Sequence, residues 1–158
     1  MKGPLLELNI IAHTMEYFGP EISCGLSLRN YTDADFHVYE NTYSRCFAPM
    51  RIALKRFPVN CCASRETLFT QRRHIFILEK SGVFCGSVAL KNNEIDDLIV
   101  PENKRRQGFG QELLTFAVCR LQTQNQTPIL LHVADWNQNA LKMYLKNGFE
   151  IIKTEIIK

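Results

Sequence analysis

The sequence predicts a mixed α/β domain, and three features carry that prediction. Residues 74–100 read as three strands separated by the short turns Ser81-Gly82 and Asn92-Asn93, a pattern typical of an antiparallel meander. The segment "PILLHVA" is a near-continuous apolar run, as in a strand that is buried on both faces. Helical patterns stand before and after that run, so both antiparallel and parallel pairing are expected in one sheet.

The predicted elements follow one another as strand, helices, three-strand meander, helix, strand, helix and strand. Leu26 and Leu28 alternate in a short strand at 25–31. Thr32 or Asp33 then caps a helix whose apolar residues recur at three- and four-residue steps, namely Phe36, Tyr39, Tyr43, Cys46 and Phe47. A second helical piece is predicted at about 50–56, and residues 59–70 show no clear period.

The second half of the chain gives clearer patterns. The meander strands are predicted at 74–79, 83–91 and 94–100. A helix follows whose apolar face consists of Leu113, Leu114, Ala117, Val118 and Leu121. Asn137 or Asn139 begins another helix, which Asn147-Gly148 ends, and "FEIIKTEII" is predicted to be a strand.

Composition bounds the class of protein. The chain has 158 residues, of which 46% are hydrophobic and 22% charged, so we expect one globular domain spanning 1–158. Its six cysteines contain no C-x-x-C spacing, which predicts no metal site and is typical of a reducing compartment. The net charge of +3 is too small to indicate nucleic-acid binding by itself.

The amino-terminal stretch "MKGPLLELNIIAH" raises the question of a signal peptide. Glu7 and Asn9 interrupt its apolar run and no small-residue cleavage site follows, so none is predicted. No window approaches 18 uninterrupted apolar residues, so no membrane span is predicted. The sequence therefore predicts a cytoplasmic protein without a membrane partner.

The segment "IVPENKRRQGFGQELL" indicates an anion site at the start of a helix. The amino terminus of a helix presents unpaired N–H groups and the positive end of the helix dipole. Gly108 and Gly110 let a phosphate approach the backbone, and Lys104, Arg105 and Arg106 add positive charge. The ligand that this turn predicts is a phosphate or pyrophosphate.

Two common phosphate loops do not fit this turn. A P-loop needs G-K-[ST] before its helix, but Gly110 is followed by Gln-Glu-Leu. A dinucleotide fingerprint needs a third glycine where Leu113 stands, and an acidic residue about 20 positions on, where the sequence reads "TPILL". Nucleic-acid binding is also disfavoured, because the basic cluster is isolated and lacks interleaved aromatic residues.

The pattern that remains, [Q/R]-x-x-G-x-[G/A], resembles the phosphate loop of the GNAT superfamily of acetyl-CoA-dependent N-acetyltransferases. A second motif strengthens the resemblance, since "NQNALKMYLKNGF" fits N-x-x-A-x-x-x-Y-x-x-x-G-F. The resemblance covers residues 25–158. It implies a mixed central sheet of six to seven strands with about four flanking helices, and acetyl-CoA as acyl donor without a metal.

The resemblance also implies roles for individual residues. The strand end Leu98, Ile99 and Val100 would pair with the pantetheine arm, and the N–H of Val100 would stabilise the oxyanion. The pyrophosphate would lie on the loop formed by Arg105, Arg106, Gln107, Gly108, Phe109, Gly110 and Gln111. Asn137 would bond to the pantetheine, and Tyr144 would meet the sulfur and return a proton to the thiolate.

An amine acceptor must lose a proton, which at pH 7 costs roughly 4 to 5 kcal/mol for an alkyl amine. Alternation places Glu94, Asp96, Leu98 and Val100 on one face of their strand, and Glu94 matches the position where many relatives keep a base. His132 on the neighbouring strand is the second candidate, because an imidazole ordinarily titrates near neutral pH. Asp97 has no predicted function.

The leading hypothesis is thus an enzyme that moves an acetyl group to a primary amine by direct attack. Cys85 and Cys119 are expected off the cleft, so no acyl-cysteine step is predicted. The alternative is a non-catalytic module that binds acyl-CoA as a sensor or scaffold. The acceptor, a small-molecule or peptide amine, would be selected by residues 32–73, and the sequence leaves a homodimer open.

Overall fold

The computed structural model describes residues 9–157. Outside the description lie Lys158 and residues 1–8, which include Glu7 of the amino-terminal apolar stretch. Seven strands form one sheet in the order β2-β3-β4-β5-β6-β1-β7. The strands are β1 (Ile10–Tyr17), β2 (Arg29–Asn30), β3 (Ile75–Lys80), β4 (Val83–Lys91), β5 (Glu94–Ile99), β6 (Leu130–Ala134) and β7 (Phe149–Ile157). The meander β3-β4-β5 is antiparallel and β5 runs parallel to β6, so the predicted mixed sheet is confirmed.

Helices cover both faces of the sheet. They are α1 (Phe36–Ala53), α2 (Arg65–Thr70), α3 (Phe109–Thr123) and α4 (Gln138–Lys146). One core gathers Leu113, Leu121 and Phe149 with the sheet residues Met15 and Val88, all at most 1% exposed. A second core lies on the α1 and α2 side of the sheet and contains Tyr31, Tyr39, Leu68, Ile75, Ile77 and Ile99. None of the helices within residues 9–157 is long and apolar enough to cross a membrane.

The amino-terminal strand β1 was not predicted. It lies inside the sheet, antiparallel to both β6 and β7, with Met15 fully buried. The pattern is weak because polar His13, Thr14 and Glu16 interrupt the apolar residues. His13 is nevertheless buried, since its ring nitrogens contact Thr154 Oγ1 at 2.9 Å and Asp135 Oδ1 at 2.8 Å.

Two further predictions about the first half of the chain are wrong in detail. The strand predicted at 25–31 is reduced to Arg29–Asn30, because only these two residues pair with β3. The two helical pieces predicted before Pro58 form one continuous helix, α1, which contains Pro49 in its interior. Residues 59–70, which gave no period, include the short helix α2, capped by Ser64, whose Oγ accepts from the N–H of Thr67.

A β-bulge in β5 overturns the predicted alternation of that strand. Ala89 pairs with Asp96 but Ser87 pairs with Ile99, so β5 carries one extra residue between them. Asp97 lies in the bulge with a φ of 40°, and the extra residue reverses the faces beyond it. Ile99 therefore packs in the second core, whereas Leu98 and Val100 pack against the first, and Glu94 does not share a face with Val100.

Candidate active site

The parallel strands β5 and β6 separate after their first two residue pairs. Glu94 pairs with Leu130 and Ile95 with Leu131, and no further pair follows. A cavity of about 600 Å³, here called the central cleft, opens between the diverging strands. Its walls include Leu98 of β5, Val100 directly after β5, and His132 of β6. The splay thus leaves a strand end without its neighbour, where an extended ligand can pair with the backbone.

The helix α3 begins beside one end of this cleft. Gly108 is its N-cap, with a φ of 85°, and the first intrahelical bond runs from the N–H of Glu112 to the Gly108 carbonyl. The backbone N–H groups of Gln107 through Gln111 therefore donate to no backbone carbonyl within residues 9–157. Both the free N–H groups and the helix dipole favour an anion at this point.

A cavity of about 400 Å³, here called the anion cavity, lies over these N–H groups. The predicted Lys104, Arg105 and Arg106 line it, as do Gly108, Phe109, Gly110 and Gln111. Lys142 and Lys146 of α4 also line it, which sequence reasoning missed. Their spacing of four residues places both on one helix face, but only the fold shows that this face meets the loop.

The glycines keep the anion cavity open. A Cβ on Gly110 would lie 3.4 Å from Sδ of Met143, which also lines the cavity. Gly108 has a left-handed backbone, with a positive φ that other residues rarely adopt. Gln111 is held in place from behind, because its side-chain nitrogen donates to Oδ1 of Asn147 at 2.6 Å. Gln107 points back along the loop and donates to the carbonyl of Asn103 at 3.3 Å.

Tyr144 and Asn137 line the wall of the central cleft that α4 forms. Asn137 is the N-cap of α4, and its Oδ1 accepts from the N–H of Ala140 at 3.3 Å, while its side-chain nitrogen makes no hydrogen bond within the described residues. The Tyr144 side chain is buried, and its hydroxyl makes no hydrogen bond within the described residues. Burial raises the pKa of Tyr144 to about 12, so the hydroxyl keeps its proton at neutral pH and can donate.

Glu94 and His132 meet at the other end of the cleft. His132 Nε2 lies 3.5 Å from Oε1 of Glu94, and His132 Nδ1 lies 3.1 Å from Oγ1 of Thr14. Both side chains are well exposed, at 57% for His132 and 37% for Glu94. His132 lines the cleft, whereas Glu94 does not and contacts it only through His132. The predicted burial of this strand on both faces is wrong, because the His132 face is open.

Asp97 occupies a site that the sequence did not reveal. The bulge turns it toward α1, where its Oδ1 accepts from the Tyr43 hydroxyl at 3.4 Å. Burial, followed by repulsion from the neighbouring carboxylate of Asp96, raises the pKa of Asp97 to about 6. The sequence pattern did not reveal this contact because strict alternation along β5 would have placed the Asp97 side chain on the other face of the sheet. Only the bulge turns it toward α1.

Asp96 and Asp97 also line a third cavity, of about 410 Å³, here called the aspartate cavity. Tyr39 and Tyr43 of α1 and Leu68 of α2 form its wall. Burial raises the pKa of both tyrosines well above the ordinary value, so they remain neutral donors. Residues 32–73, predicted to select the acceptor, therefore contribute to a cavity. Tyrosines form one side of this cavity and the two aspartates form the other.

The three cavities run from the open start of α3 along the end of β5 to α1 and α2. Residues 34–149 match the family model described as "Acetyltransferase (GNAT) family", which is well over half of the chain. The chain belongs to this family.

Individual relatives agree with the assignment. The chain is 33% identical over 78 residues to "GCN5-related N-acetyltransferase 6, chloroplastic" of Arabidopsis thaliana; the match takes in 48% of this chain and 27% of that protein. The segment thus spans about a quarter of this curated relative's length.

Solved structures share the fold. An acetyltransferase from the GNAT family of Colwellia psychrerythraea superposes with a TM-score of 0.63 at 15% identity, over 94% of this chain and 56% of that one. A PaiA N-acetyltransferase of Thermoplasma acidophilum, in complex with coenzyme A, gives 0.66 at 15% identity, over 82% and 92%. At these identities the likeness concerns the fold.

Proposed function

We propose that this chain is an N-acetyltransferase that transfers the acetyl group of acetyl-CoA to a primary amine by direct attack. The observation that carries the proposal is the continuity of the three cavities. The central cleft shares Val100, Arg105 and Gly110 with the anion cavity, and Asp96 and Asp97 with the aspartate cavity. An anionic donor and a cationic acceptor could therefore enter from opposite ends and meet in the cleft.

The residues of the anion cavity fit a pyrophosphate. Free N–H groups, two glycines and five cationic side chains supply hydrogen bonds and charge without a metal. The five are Lys104, Arg105, Arg106, Lys142 and Lys146. We assign the loop from Arg105 to Gln111 to the pyrophosphate, and the backbone of Leu98, Ile99 and Val100, with the amide of Asn137, to the pantetheine arm. Bound acetyl-CoA would supply the reactive thioester.

The chemistry requires that a base remove one proton from the acceptor ammonium and pass it to solvent, that the neutral amine nitrogen bond to the thioester carbon, and that the carbon–sulfur bond break. The second proton of the nitrogen is lost as the amide forms and returns to the group that protonates the departing thiolate. The N–H of Val100 would stabilise the oxyanion. The Tyr144 hydroxyl, protonated at neutral pH, would donate to the departing thiolate. Cys85 is buried in the first core, off the cleft. Cys46 does line the cleft, where its thiol donates to the Val100 carbonyl at 3.5 Å, and direct attack uses neither cysteine.

Two routes for the amine proton fit the cleft. In the first, the sequence-predicted pair acts, with His132 facing the cleft and Glu94 behind it. In that route both imidazole nitrogens already have partners, so one contact must break before the ring can accept a proton. In the second route Asp97 accepts the proton; its Oδ2 has no partner within residues 9–157, and its pKa of about 6 is close to neutral.

The experiment is a thiol-release assay with acetyl-CoA against polyamines, aminoglycosides, amino acids and peptide amino termini. The best acceptor is then assayed between pH 5 and 9 with Asp97→Asn, His132→Ala and Glu94→Gln. Loss of about two orders of magnitude in kcat with Asp97→Asn, but not with His132→Ala, assigns the second route. The reverse result assigns the first.

The alternative, a non-catalytic acyl-CoA sensor or scaffold, remains distinguishable in the same experiment. Calorimetric titration with acetyl-CoA measures the affinity of the chain apart from turnover. Micromolar binding without thiol release from any amine would refute the enzyme and support the sensor. Absence of binding as well would contradict both, because both depend on the anion cavity.

A further inference from the structure

Cys46 is the one cysteine among residues 9–157 that lines the central cleft. It belongs to α1 and is half-buried, so its sulfur can be reached from the cleft. The thiol donates to the carbonyl oxygen of Val100 at 3.5 Å, and Nη2 of Arg105 donates to Sγ of Cys46 at 3.6 Å. A sulfur atom and a guanidinium group therefore meet at the end of β5.

A second side chain marks the same cleft as a ligand site. Tyr144 is only 8% exposed and lines the cleft, and its hydroxyl makes no hydrogen bond within the described residues. Buried polar groups are ordinarily hydrogen-bonded, so a hydroxyl that lacks a protein partner is available to an atom of a ligand. This observation is independent of Cys46 and points to a ligand in the cavity that Cys46 lines.

The path of that ligand follows from the residues that two cavities share. Val100, Arg105 and Gly110 line both the anion cavity and the central cleft. Two of these three, Val100 and Arg105, are the residues that contact Sγ of Cys46. A molecule with a pyrophosphate over the start of α3 and a long arm would therefore pass Cys46 as it enters the cleft. In CoA that arm ends in a thiol.

Two other cysteines show how particular this position is. Cys85 is buried in the first core, and Cys61 is exposed and lines the aspartate cavity, which the basic loop does not line. Cys61 therefore meets any reagent in solution, whereas Cys46 meets best the reagent that the anion cavity holds. A reagent held beside a side chain by a short flexible arm reaches an effective concentration in roughly the millimolar range.

We propose that Cys46 is a modification site that forms a mixed disulfide with CoA. The co-reactant is a disulfide of CoA, such as its symmetric dimer, seated by its pyrophosphate in the anion cavity. The Cys46 thiol gives its proton to solvent, and the thiolate attacks the nearer sulfur of that disulfide. A bond from Sγ to this sulfur forms as the old sulfur–sulfur bond breaks, and the second thiol leaves as a thiolate. One disulfide replaces another, so no further oxidant is needed.

The adduct occupies the proposed acetyl-CoA site from the anion cavity to the end of β5. Acetyl-CoA is therefore excluded until a free thiol reverses the exchange by the same reaction. The inference rests on the proposed function only in seating CoA at the basic loop, and it does not require acyl transfer.

The test compares two disulfides on the reduced protein. One is CoA disulfide and the other is pantethine, which has the same arm but lacks the pyrophosphate, each at the same micromolar concentration. Peptide mass spectrometry follows the adducts on Cys46 and Cys61 with time. CoA disulfide is expected to modify Cys46 roughly tenfold to hundredfold faster than pantethine does, while Cys61 reacts with both at similar rates. Saturating acetyl-CoA should slow the reaction at Cys46 and leave the reaction at Cys61 unchanged.

Two variants locate the reaction. Cys46→Ser removes the selective adduct, and its thermal midpoint checks that the variant folds. The double variant Lys142→Ala/Lys146→Ala lowers the rate of CoA disulfide at Cys46 by about fivefold or more and leaves the rate of pantethine unchanged, because only the phosphates meet these lysines.

Equal rates of the two disulfides at Cys46 overturn the inference, and so does an adduct on Cys46 that acetyl-CoA does not slow. Thiol release from acetyl-CoA with the amine panel, assayed on the same preparation, separates the two claims. Turnover without a selective adduct on Cys46 overturns this inference and leaves the proposed function intact. A selective adduct without turnover supports the inference and contradicts the enzyme.

Discussion

Replacing Asp97 by asparagine is expected to make the protein more stable at neutral pH while it removes a candidate base. Burial raises the pKa of this carboxyl from an ordinary 3.8 to about 6. The folded protein therefore holds the proton more tightly than the unfolded chain, and unfolding is favoured progressively as pH rises from about 4 to 6. Above pH 6 the full free-energy cost of burying the charged carboxylate opposes folding. For a pKa that rises from 3.8 to about 6, this cost is about 3 kcal/mol.

An asparagine has no charge to bury and its Oδ1 can still accept from the Tyr43 hydroxyl. We therefore expect the unfolding free energy at pH 7 to rise by about 1 to 3 kcal/mol, with little change at pH 3.5. Urea titrations of wild type and variant at both pH values measure this difference. Asp96→Asn is the control, because Asp96 is exposed and should gain far less.

Equal stabilities of the wild type and Asp97→Asn at pH 7, or a less stable variant, would refute the reasoning. Such a result would mean that the carboxylate is solvated or paired in solution, and hence not held in the bulge as described. A pH profile of stability that keeps its fall between pH 4 and 6 in the variant would likewise assign that titration to another group.

Three other variants test the site and the fold. Tyr144→Phe should lower kcat by one to two orders of magnitude in steady-state kinetics and leave the acetyl-CoA affinity, measured by calorimetry, within about twofold. Equal losses in kcat and in affinity would mean that Tyr144 has a packing role instead. Lys142→Ala/Lys146→Ala should weaken acetyl-CoA binding by roughly fivefold to thirtyfold at low salt and less at high salt, with Arg73→Ala unchanged. Gly86→Ala should lower the unfolding free energy by about 1 to 3 kcal/mol in urea titrations, because a Cβ would lie 2.7 Å from Leu113 Cδ1 and 2.9 Å from the Ile99 carbonyl oxygen. The control Gly25→Ala has open space around it and should leave the unfolding free energy nearly unchanged. A neutral Gly86→Ala would show that β4 can shift at this point.

The sequence predicted most of the second half of the fold because its signals are local. Turn residues such as Asn92-Asn93, a helix cap such as Asn137 and an apolar run act over a few neighbours, and the structure confirms the elements they indicate. The first half was predicted less well. β1 is held by long-range pairing with β6 and β7, and its polar His13 is buried only because Asp135 and Thr154 bond to it.

The amino-acid sequence by itself predicted the family, which is confirmed, and proposed the turn at 105–111 with Asn137 and Tyr144 as site residues, since each belongs to a motif within a single loop or helix; the structure places these residues along two adjoining cavities. Tertiary structure alone decided three other matters. It brought Lys142 and Lys146 to the anion cavity, it turned Asp97 toward Tyr43 through a one-residue bulge, and it left β7 at an open edge. Each depends on which strand or helix lies beside which, and contacts between distant segments leave no periodic trace in the sequence.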